Sequence, residues 1–236
     1  MWTDRVLFLD GEALVIDKPA GLPVDAPRDG SLSIQNHLLN LRFGFERTPT
    51  AVHRLDRDTS GCLLLARNPK AHKRFSLAFE ENRVRKTYLA VVDGVPEALE
   101  GVIDMPLGKV SSKEKGWRMV QDARGRPSLS RWRVAGVKSG RAAILFMPET
   151  GRTHQLRVHA VHIGHPIIGD PKYFEAEQGW TFPGGVQNKL HLHARHIDIP
   201  HPDGGRLKVT APLPPHMVQS WNLFGFDEES AGDYDA

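Results

Sequence analysis

Glycine and proline interrupt this chain throughout its length. The 236 residues include 22 glycines and 17 prolines, which divide the sequence into many short segments. The patterns of apolar residues predict more strands than helices, and the two kinds of element do not alternate strictly along the chain. This order favours an α+β fold with a mixed, largely antiparallel sheet over a doubly wound parallel sheet.

Apolar runs and alternating patterns predict five strands. They cover residues 12–16, 62–66, 85–92, 128–134 and 141–147. Helical spacing and capping residues predict three helices. These are one that begins at Ser31 or Ser33, one that begins at Asn68 and Pro69, and one over residues 153–163. The sequence Lys138-Ser139-Gly140 is predicted to form a turn between the last two strands.

The single cysteine and the lack of long apolar runs indicate where in the cell the protein is expected. Cys62 has no second cysteine for an intramolecular disulfide, and its apolar neighbours favour a buried small hydrophobe over a reactive thiol. No apolar run approaches the roughly 18 to 20 residues that cross a bilayer. The first five residues contain an acid and do not resemble a signal peptide. We therefore expect a cytoplasmic protein with no membrane contact, and a monomer by default.

Positive charge is concentrated in the body of the chain. Residues 226–236 hold five acids and no lysine or arginine, so the first 225 residues carry 31 basic side chains against 23 acidic ones, a net charge of +8. A basic body suits a polyanionic partner such as nucleic acid, and a solvated basic surface is the alternative. The acidic tail is predicted to be mobile.

A charged loop precedes the second predicted strand. The sequence His53-Arg-Leu-Asp-Arg-Asp-Thr-Ser-Gly61 places Asp56 among arginines, whose charge favours the ionised form of a carboxyl group. Such a carboxylate can act as a nucleophile or a base, or it can be an ion-paired loop residue. Asp56 and Asp58 are also candidates for a pair of catalytic carboxylates. Their two-residue spacing on an extended loop directs them to opposite sides and weakens that interpretation.

A second charged segment, Gly151-Arg-Thr-His-Gln-Leu-Arg-Val-His159, begins near the third predicted helix. Helical spacing puts Arg152, Leu156 and His159 on one face. An arginine in the first turn is unfavourable for the helix dipole, so we expect a carboxylate or a phosphate to face Arg152. An ordinary salt bridge is the alternative.

Histidines cluster in the C-terminal half, where eight of the twelve lie between His154 and His201. Zinc is one interpretation, because two pairs have suitable spacing. These pairs are His159 with His162 at i, i+3 and His191 with His193 on a common strand face. No cysteine accompanies these histidines and few acids lie near them, so we expect no metal site.

The charged loop is similar to a motif of a known enzyme family. Residues 53–61 match the H-R-L-D-x-x-T-S-G motif of the RluA family of RNA pseudouridine synthases. Four further segments resemble family motifs in the same order. They are Lys18-Pro-Ala-Gly21, Lys86-Thr-Tyr-Leu-Ala90, the segment 151–159 and Gly164-His-Pro-Ile-Ile-Gly-Asp-Pro-Lys-Tyr173. The resemblance spans roughly residues 10–215, most of the chain.

The resemblance implies a fold and a reaction. RluA-type enzymes have a mixed-sheet α+β fold of two subdomains that flank a central catalytic cleft. They isomerise uridine in RNA to pseudouridine without a cofactor. The family's nucleophilic aspartate corresponds to Asp56, its catalytic tyrosine to Tyr88, and the arginine that pairs with the aspartate to Arg152. Attack at C1′ of the ribose and attack at C6 of the base both stay open.

The resemblance also implies contacts with RNA. Arg54 corresponds to a residue that helps to occupy the place of a flipped-out nucleotide, and Leu156 would pack against the target base. The other candidates are basic residues that would contact phosphates, namely Lys18, Arg57, Lys86 and Arg157. The expected partner is large-subunit ribosomal RNA, transfer RNA or both.

The chain departs from many relatives at three places. The residues before His53 are too few for the N-terminal S4-type RNA-binding domain of many family members, so we expect one catalytic domain over residues 1–225 and the acidic tail over 226–236. Ser128 and Ser130 stand where relatives often have alanine and threonine. Residues 175–189 have no recognised counterpart and are candidates for tuning the choice of RNA.

Three functions remain open on the sequence. The ordered motifs favour an RNA pseudouridine synthase. A metal-dependent hydrolase that uses the histidine-rich half is the second hypothesis, and its activity would not survive exhaustive chelation. A non-catalytic RNA-binding module on the same fold is the third, and it would bind RNA but leave the uridines unaltered.

Overall fold

The computed structural model describes residues 2–114, 116–174 and 186–227. The chain divides into two compact units. The first unit comprises Met1–Lys86 and His193–Pro214, and the second comprises Thr87–Leu192 and Pro215–Ala236. Each unit has its own hydrophobic core.

Strands of the first unit surround one central strand, β4. The strands are β1 (Val6–Leu9), β2 (Ala13–Lys18), β3 (Thr50–Ala51), β4 (Ser60–Ala66), β11 (Leu192–Pro200) and β12 (Arg206–Thr210). β4 pairs antiparallel with β2 and β3 and parallel with β11. All seven residues of β4 are buried, as expected for a strand covered on both faces. The parallel pair makes the sheet mixed, as predicted.

Gly61 at the start of β4 permits the close approach of β11. Its φ is 105°, and a Cβ at this position would overlap the backbone of Ala194 on β11. Only glycine satisfies both conditions. The glycine that ends the charged loop is therefore required by the strand pairing that follows the loop.

Helix α1 (Pro69–Glu80) covers the sheet of the first unit and begins where the sequence predicts. The side chain of Asn68 accepts a hydrogen bond from the backbone N–H of Ala71 at 2.8 Å, and Pro69 takes the first helical position. Ala71, Phe75 and Ala78 are buried in a cluster with residues of β2, β4 and β11. The apolar face that the helical spacing predicts is confirmed.

The remaining predicted elements of the first unit are also present. Residues Ile34–Leu41 form a 3-10 helix in place of the expected regular helix, and Ser33 is the residue that precedes it. The side chain of Asn36 accepts hydrogen bonds from the backbone N–H and the hydroxyl of Ser33 at 2.8 and 2.9 Å. Cys62 is buried, and burial raises the pKa of its thiol to about 12. These facts agree with a buried small hydrophobe and disfavour a reactive thiol.

The second unit is built on an antiparallel sheet in the order β5-β10-β9-β6. Its strands are β5 (Arg85–Asp93), β6 (Glu100–Asp104), β9 (Leu129–Lys138) and β10 (Arg141–Pro148), and a separate hairpin consists of β7 (Leu107–Ser112) and β8 (Gly116–Gln121). Ser139 and Gly140 both have positive φ, 52° and 70°, in the predicted turn between β9 and β10. Two such residues form the turn type that matches the twist of a hairpin. The α+β class with a mixed, largely antiparallel sheet is confirmed.

Helices α2 (Gln155–His162) and α3 (Pro215–Phe224) complete the second unit. Leu156 and Ala160 of α2 are buried in a cluster that contains Ile144 and Phe146 of β10. α2 begins two residues later than predicted, because His154 has a left-handed backbone with φ of 54° and ψ of 18°. Arg152 thus precedes the helix. The prediction that it shares a helical face with Leu156 and opposes the helix dipole is wrong.

The C-terminal segment packs beyond α3. Phe226 is 7% exposed, and its ring centroid lies 4.6 Å from that of Trp221. The tail boundary at residue 226 stays a prediction. Residues 228–236 lie outside the described residues, as do residues 175–185 of the segment 175–189. In the described part of the chain, no helix combines the length and the apolar character needed to cross a membrane.

Candidate active site

The charged loop of residues 53–59 leads directly into β4 in the first unit. Asp56 is half-buried, and its carbonyl accepts a hydrogen bond from the backbone N–H of Thr59 at 3.2 Å, which closes a turn. Leu55 is buried next to it, whereas Arg54 and Arg57 are exposed. The loop thus holds the Asp56 carboxylate just before a buried strand, between two arginines that reach into solvent.

Lys18 is wholly buried and is hydrogen-bonded to this loop. Its Nζ donates hydrogen bonds to the carbonyl oxygens of Pro19, Leu22 and Arg57 at 2.8, 2.7 and 3.0 Å. The backbone N–H of Gly21 also donates to the carbonyl of Arg57, at 2.9 Å. The turn after β2 is therefore fastened to the residue next to Asp56.

This placement corrects one prediction. Lys18 was expected among the residues that contact phosphates, but its three N–H groups are directed to carbonyls and none of its surface is exposed. Burial lowers the pKa of Lys18 to about 7, and the charges of Asp58 and Asp56 act in the opposite direction. By the same interaction, a protonated Lys18 stabilises the carboxylate form of Asp56.

His53 is a structural residue of the loop. Its Nε2 accepts a hydrogen bond from the backbone N–H of Leu64 at 3.0 Å, and its ring stacks on Phe79 of α1 at 5.0 Å. Burial, and secondarily the charge of Lys86, lowers the pKa of His53 to about 3. The imidazole is therefore neutral at physiological pH and joins the loop to β4 and α1.

Three residues of the first unit that are predicted to contact RNA differ in accessibility. The side chain of Arg54 is 78% exposed and forms a salt bridge with Asp25 at 3.0 Å. Arg57 is exposed and donates a hydrogen bond to the hydroxyl of Ser31 at 2.9 Å. Lys86 is half-buried, and burial lowers its pKa to about 8. Both arginines are accessible to a polyanion, and for all three residues the contact with RNA stays a prediction.

Tyr88 lies on β5 in the second unit. It pairs with Phe146 of β10 and packs, half-buried, against the core of that unit. Leu156 is 6% exposed within the same core. The predicted roles of these two residues toward the base stay predictions.

Arg152 is held by the segment that precedes α2. Its Nε donates a hydrogen bond to the carbonyl of Pro127 at 2.9 Å, and its backbone N–H donates to Oε1 of Gln155 at 2.9 Å. Arg152 is half-buried. Asp56 belongs to the first unit and Arg152 to the second, and the pairing of their side chains stays a prediction.

Arg157 is the second predicted phosphate contact that the structure corrects. It is 2% exposed, and its guanidinium forms two parallel hydrogen bonds to the carboxylate of Asp170, at 2.7 and 2.6 Å. A buried bidentate pair of this kind joins two structural elements and leaves the arginine no access to a phosphate. The sequence indicates this partner weakly, through the aspartate in the motif that ends at Tyr173.

The histidines proposed as zinc ligands are bound to other groups. Nε2 of His159 lies 3.0 Å from the hydroxyl of Ser128, and Nε2 of His191 lies 2.7 Å from that of Ser220. Nδ1 of His193 lies 2.8 Å from the hydroxyl of Ser60. His191 immediately precedes β11, and its side chain and that of His193 bind serines of different elements. Within the described residues, no three potential ligands converge on one point.

Two neighbouring residues of the site, His154 and Gln155, have contacts that the sequence does not predict. Gln155 accepts hydrogen bonds through Oε1 and donates through Nε2 to the carbonyl of Leu129 and the hydroxyl of Ser130, at 3.0 and 2.8 Å. His154 is buried and lies 2.9 Å from the hydroxyl of Tyr173. Both residues lie in the motif of residues 151–159. No sequence pattern, however, indicates the left-handed backbone of His154, which sets the directions of the two side chains.

Comparison with known protein families gives a match over more than half of the chain. The sequence model of the family described as RNA pseudouridylate synthase matches residues 12–162. This range contains Asp56, Tyr88 and Arg152.

Individual relatives agree with that match. An RNA pseudouridine synthase of Zymomonas mobilis is 52% identical over 211 residues, which cover 89% of this chain and 94% of the relative. A protein of Nitrosomonas europaea named ribosomal large subunit pseudouridine synthase D is 35% identical over 221 residues, covering 91% of this chain and 63% of the longer relative. The solved structure of human RNA pseudouridylate synthase domain containing 4 superposes with a TM-score of 0.78 at 27% identity, covering 95% of this chain and 94% of that one.

Proposed function

Because the chain belongs to the RNA pseudouridylate synthase family, in which it is of the RluA type, we propose that it isomerises specific uridines in stem-loops of ribosomal or transfer RNA, with Asp56 as the nucleophile. The enzyme is an isomerase that acts on uridines in RNA. The nucleophile, the kind of stem-loop and the lack of a cofactor are parts of the proposal.

The position of Asp56 carries this proposal. Its carboxylate lies on a loop that Lys18 and Gly21 fasten at Arg57, one residue away, and that His53 fastens to β4. A nucleophile must be ionised and held in place before the substrate arrives. The charge of a protonated Lys18 favours the carboxylate form of Asp56, and the fastened loop restrains its position, which supports the proposed role.

The proposed reaction exchanges one bond of the nucleotide for another. The N1–C1′ bond breaks, the base rotates, and a C5–C1′ bond forms, while C5 loses a proton and N1 gains one. Asp56 would attack either C1′ or C6, and the bond that it forms is broken again when the base is reattached. Since the exchange consumes no oxidant, reductant or group donor, we propose that it needs no cofactor.

We assign Tyr88 and Arg152 the roles that the resemblance implies. The half-buried ring of Tyr88 would stack on the uracil, and its hydroxyl would assist removal of the C5 proton. Arg152 would pair with Asp56 and keep its carboxylate charged. Gln155 binds the backbone N–H of Arg152, and the carbonyl of Pro127 binds its guanidinium. These two contacts restrain the position of Arg152, which is consistent with the proposed role.

The target nucleotide must leave the RNA stack to expose C1′ and C5. Enzymes that act on a base extrude it, at least cost from loops and bulges. We propose that the exposed Arg54 occupies the vacated place and that Arg57 contacts phosphate. The relatives named for the ribosomal large subunit support ribosomal RNA as the substrate class. We also propose that the enzyme is cytoplasmic and monomeric, as expected from the sequence.

Release of tritium from RNA labelled at C5 of uridine tests the nucleophile. Asp56→Asn removes the charge with little change in size, so release is expected to fall at least about a thousandfold, in line with the loss of a catalytic nucleophile. Asp58→Asn on the same loop is the matched control and is expected to retain release. Release by Asp56→Asn at the rate of the native enzyme would refute the assignment.

Mapping of pseudouridines in total RNA tests the substrate. Cells that lack this protein are expected to lose pseudouridine at one or a few loop positions of ribosomal or transfer RNA, and the native gene is expected to restore them. An unaltered map, together with tight salt-dependent RNA binding, would favour the non-catalytic binding module instead.

A further inference from the structure

His154 has a backbone conformation that its surroundings must maintain. Its φ of 54° and ψ of 18° lie in the left-handed region, which residues other than glycine rarely enter. Such a conformation persists only where neighbouring contacts determine it, and it is concentrated at functional sites. His154 stands between Arg152 and the first residue of α2. What fixes His154 therefore also fixes the end of the segment that carries Arg152.

The imidazole of His154 is fixed by the hairpin β7–β8 and by Tyr173. Its Nδ1 lies 2.9 Å from the Tyr173 hydroxyl, which accepts a hydrogen bond from the backbone N–H of Met119 on β8 at 2.9 Å. The ring of Trp117 lies 4.8 Å from the imidazole. Burial lowers the pKa of His154 to about 3, so the ring is neutral and one of its nitrogens can accept a hydrogen bond.

The next side chain, that of Gln155, is anchored to a different strand. Its Oε1 accepts hydrogen bonds from the backbone N–H of Arg152 and the hydroxyl of Thr150, at 2.9 and 2.8 Å. Its Nε2 donates to Leu129 and Ser130 of β9. The Arg152 segment is thus held from β9 through Gln155 and from β8 through His154.

We propose that His154, bound to the Tyr173 hydroxyl, is a positioning residue that sets the guanidinium of Arg152 for the isomerisation. This inference rests on the proposed function, in which Arg152 acts on Asp56. Without the Tyr173 contact, the backbone at His154 can relax from its left-handed conformation and move Arg152. The consequence is a slower chemical step with little change in the affinity for RNA.

Tyr173→Phe tests this role, because it removes one hydroxyl and keeps the ring. We expect kcat for tritium release to fall about tenfold, since a displacement of about 1 Å can cost up to about a hundredfold, while KM for RNA stays within about twofold. His154→Asn, whose residue type tolerates the left-handed region, is expected to show the same loss of kcat. His162→Asn on the exposed side of α2 is the matched control and is expected to keep both constants.

A double-mutant cycle shows whether the effect passes through Arg152. In an Arg152→Lys background, Tyr173→Phe is expected to lower kcat less than about twofold, because the group that it positions is already lost. Full additivity in the cycle, an unchanged kcat in Tyr173→Phe, or a change in KM alone would overturn the inference. Thermal melting identifies any variant that fails to fold.

The two levels of the proposal fail in different ways. If the native enzyme releases no tritium from any RNA, the proposed function is wrong. If the native enzyme is active and Tyr173→Phe matches it, only the positioning role of His154 is wrong.

Discussion

A single lysine shows how far a residue's role depends on its neighbours. In the sequence, Lys18 is one cation in a basic chain, and a phosphate contact is a reasonable expectation. In the structure, its ammonium group donates hydrogen bonds to three carbonyls, those of Pro19, Leu22 and Arg57. Lys18 therefore stabilises a loop and is not exposed to solvent.

Replacement of Lys18 is expected to destabilise the fold. Lys18→Met keeps much of the side-chain volume but removes the Nζ donor of the Pro19 and Leu22 carbonyls, while the Arg57 carbonyl keeps its hydrogen bond from Gly21. An unpaired buried polar group costs about 1 to 3 kcal/mol. With two carbonyls left unpaired, we expect the free energy of unfolding in urea to fall by at least about 2 kcal/mol. Lys73→Met, on the exposed side of α1, is the control and is expected to change it by less than about 0.5 kcal/mol. Equal losses in the two variants would contradict the structural role of Lys18.

At the scale of elements, the pair of Arg157 and Asp170 fastens helix α2 to the loop that follows it. Asp170 also accepts hydrogen bonds from the backbone N–H groups of Lys172 and Tyr173, at 2.8 and 3.1 Å. The carboxylate therefore orders the turn that presents the Tyr173 hydroxyl to His154. One buried ion pair thus connects the packing of α2 to the segment that holds Arg152.

Disruption of this pair is expected to cost far more than disruption of an exposed pair. Asp170→Asn leaves the buried guanidinium of Arg157 uncompensated, and we expect the free energy of unfolding to fall by about 3 to 5 kcal/mol. The matched control is Glu149→Gln, which removes the exposed partner of Arg131 and is expected to cost at most about 1 kcal/mol. Denaturant titration of both variants measures the difference. A loss below 1 kcal/mol in Asp170→Asn would contradict this account.

Sequence reasoning succeeds for elements whose boundaries have local causes. Helix α1 begins where Asn68 and Pro69 dictate, and the turn at Ser139 and Gly140 follows from residue type. Helix α2 begins later than its pattern indicates, because contacts of His154 with a hairpin and a distant tyrosine determine its first residue. No periodicity in the segment itself reports contacts of that kind.

At the scale of the whole molecule, four neutral histidines of the described residues contribute to the response to acid. Burial is the first cause that lowers the pKa of each, to about 3 for His53 and His154 and about 4 for His159 and His191. The unfolded chain binds these protons from about pH 6.5 downward, whereas the folded chain does not. Stability therefore rises with pH from about 4 to 6.5 and is lost as the pH falls through this window.

Each of these histidines is expected to contribute up to about 1.4 kcal/mol per pH unit to that loss. His53→Gln should therefore reduce the difference between the free energies of unfolding at pH 7 and pH 5.5 by about 1 to 2 kcal/mol. His162→Gln, on the exposed side of α2, is expected to leave that difference unchanged. Urea titrations at the two pH values give the comparison, and an unaltered difference in His53→Gln would show that His53 is not held neutral in the fold.

The sequence by itself determined the fold class, the family and the residues to examine. Strand and turn patterns are local, and the motif around Asp56 is specific enough to identify the family. Only the tertiary structure decided which charged residues are accessible, because burial and partners come from segments far apart in the chain. Lys18 and Arg157 are enclosed by carbonyls and by a carboxylate, while Arg54 and Arg57 are exposed. A linear pattern records the charge of a side chain, and the free energy of that charge depends on what the fold places around it.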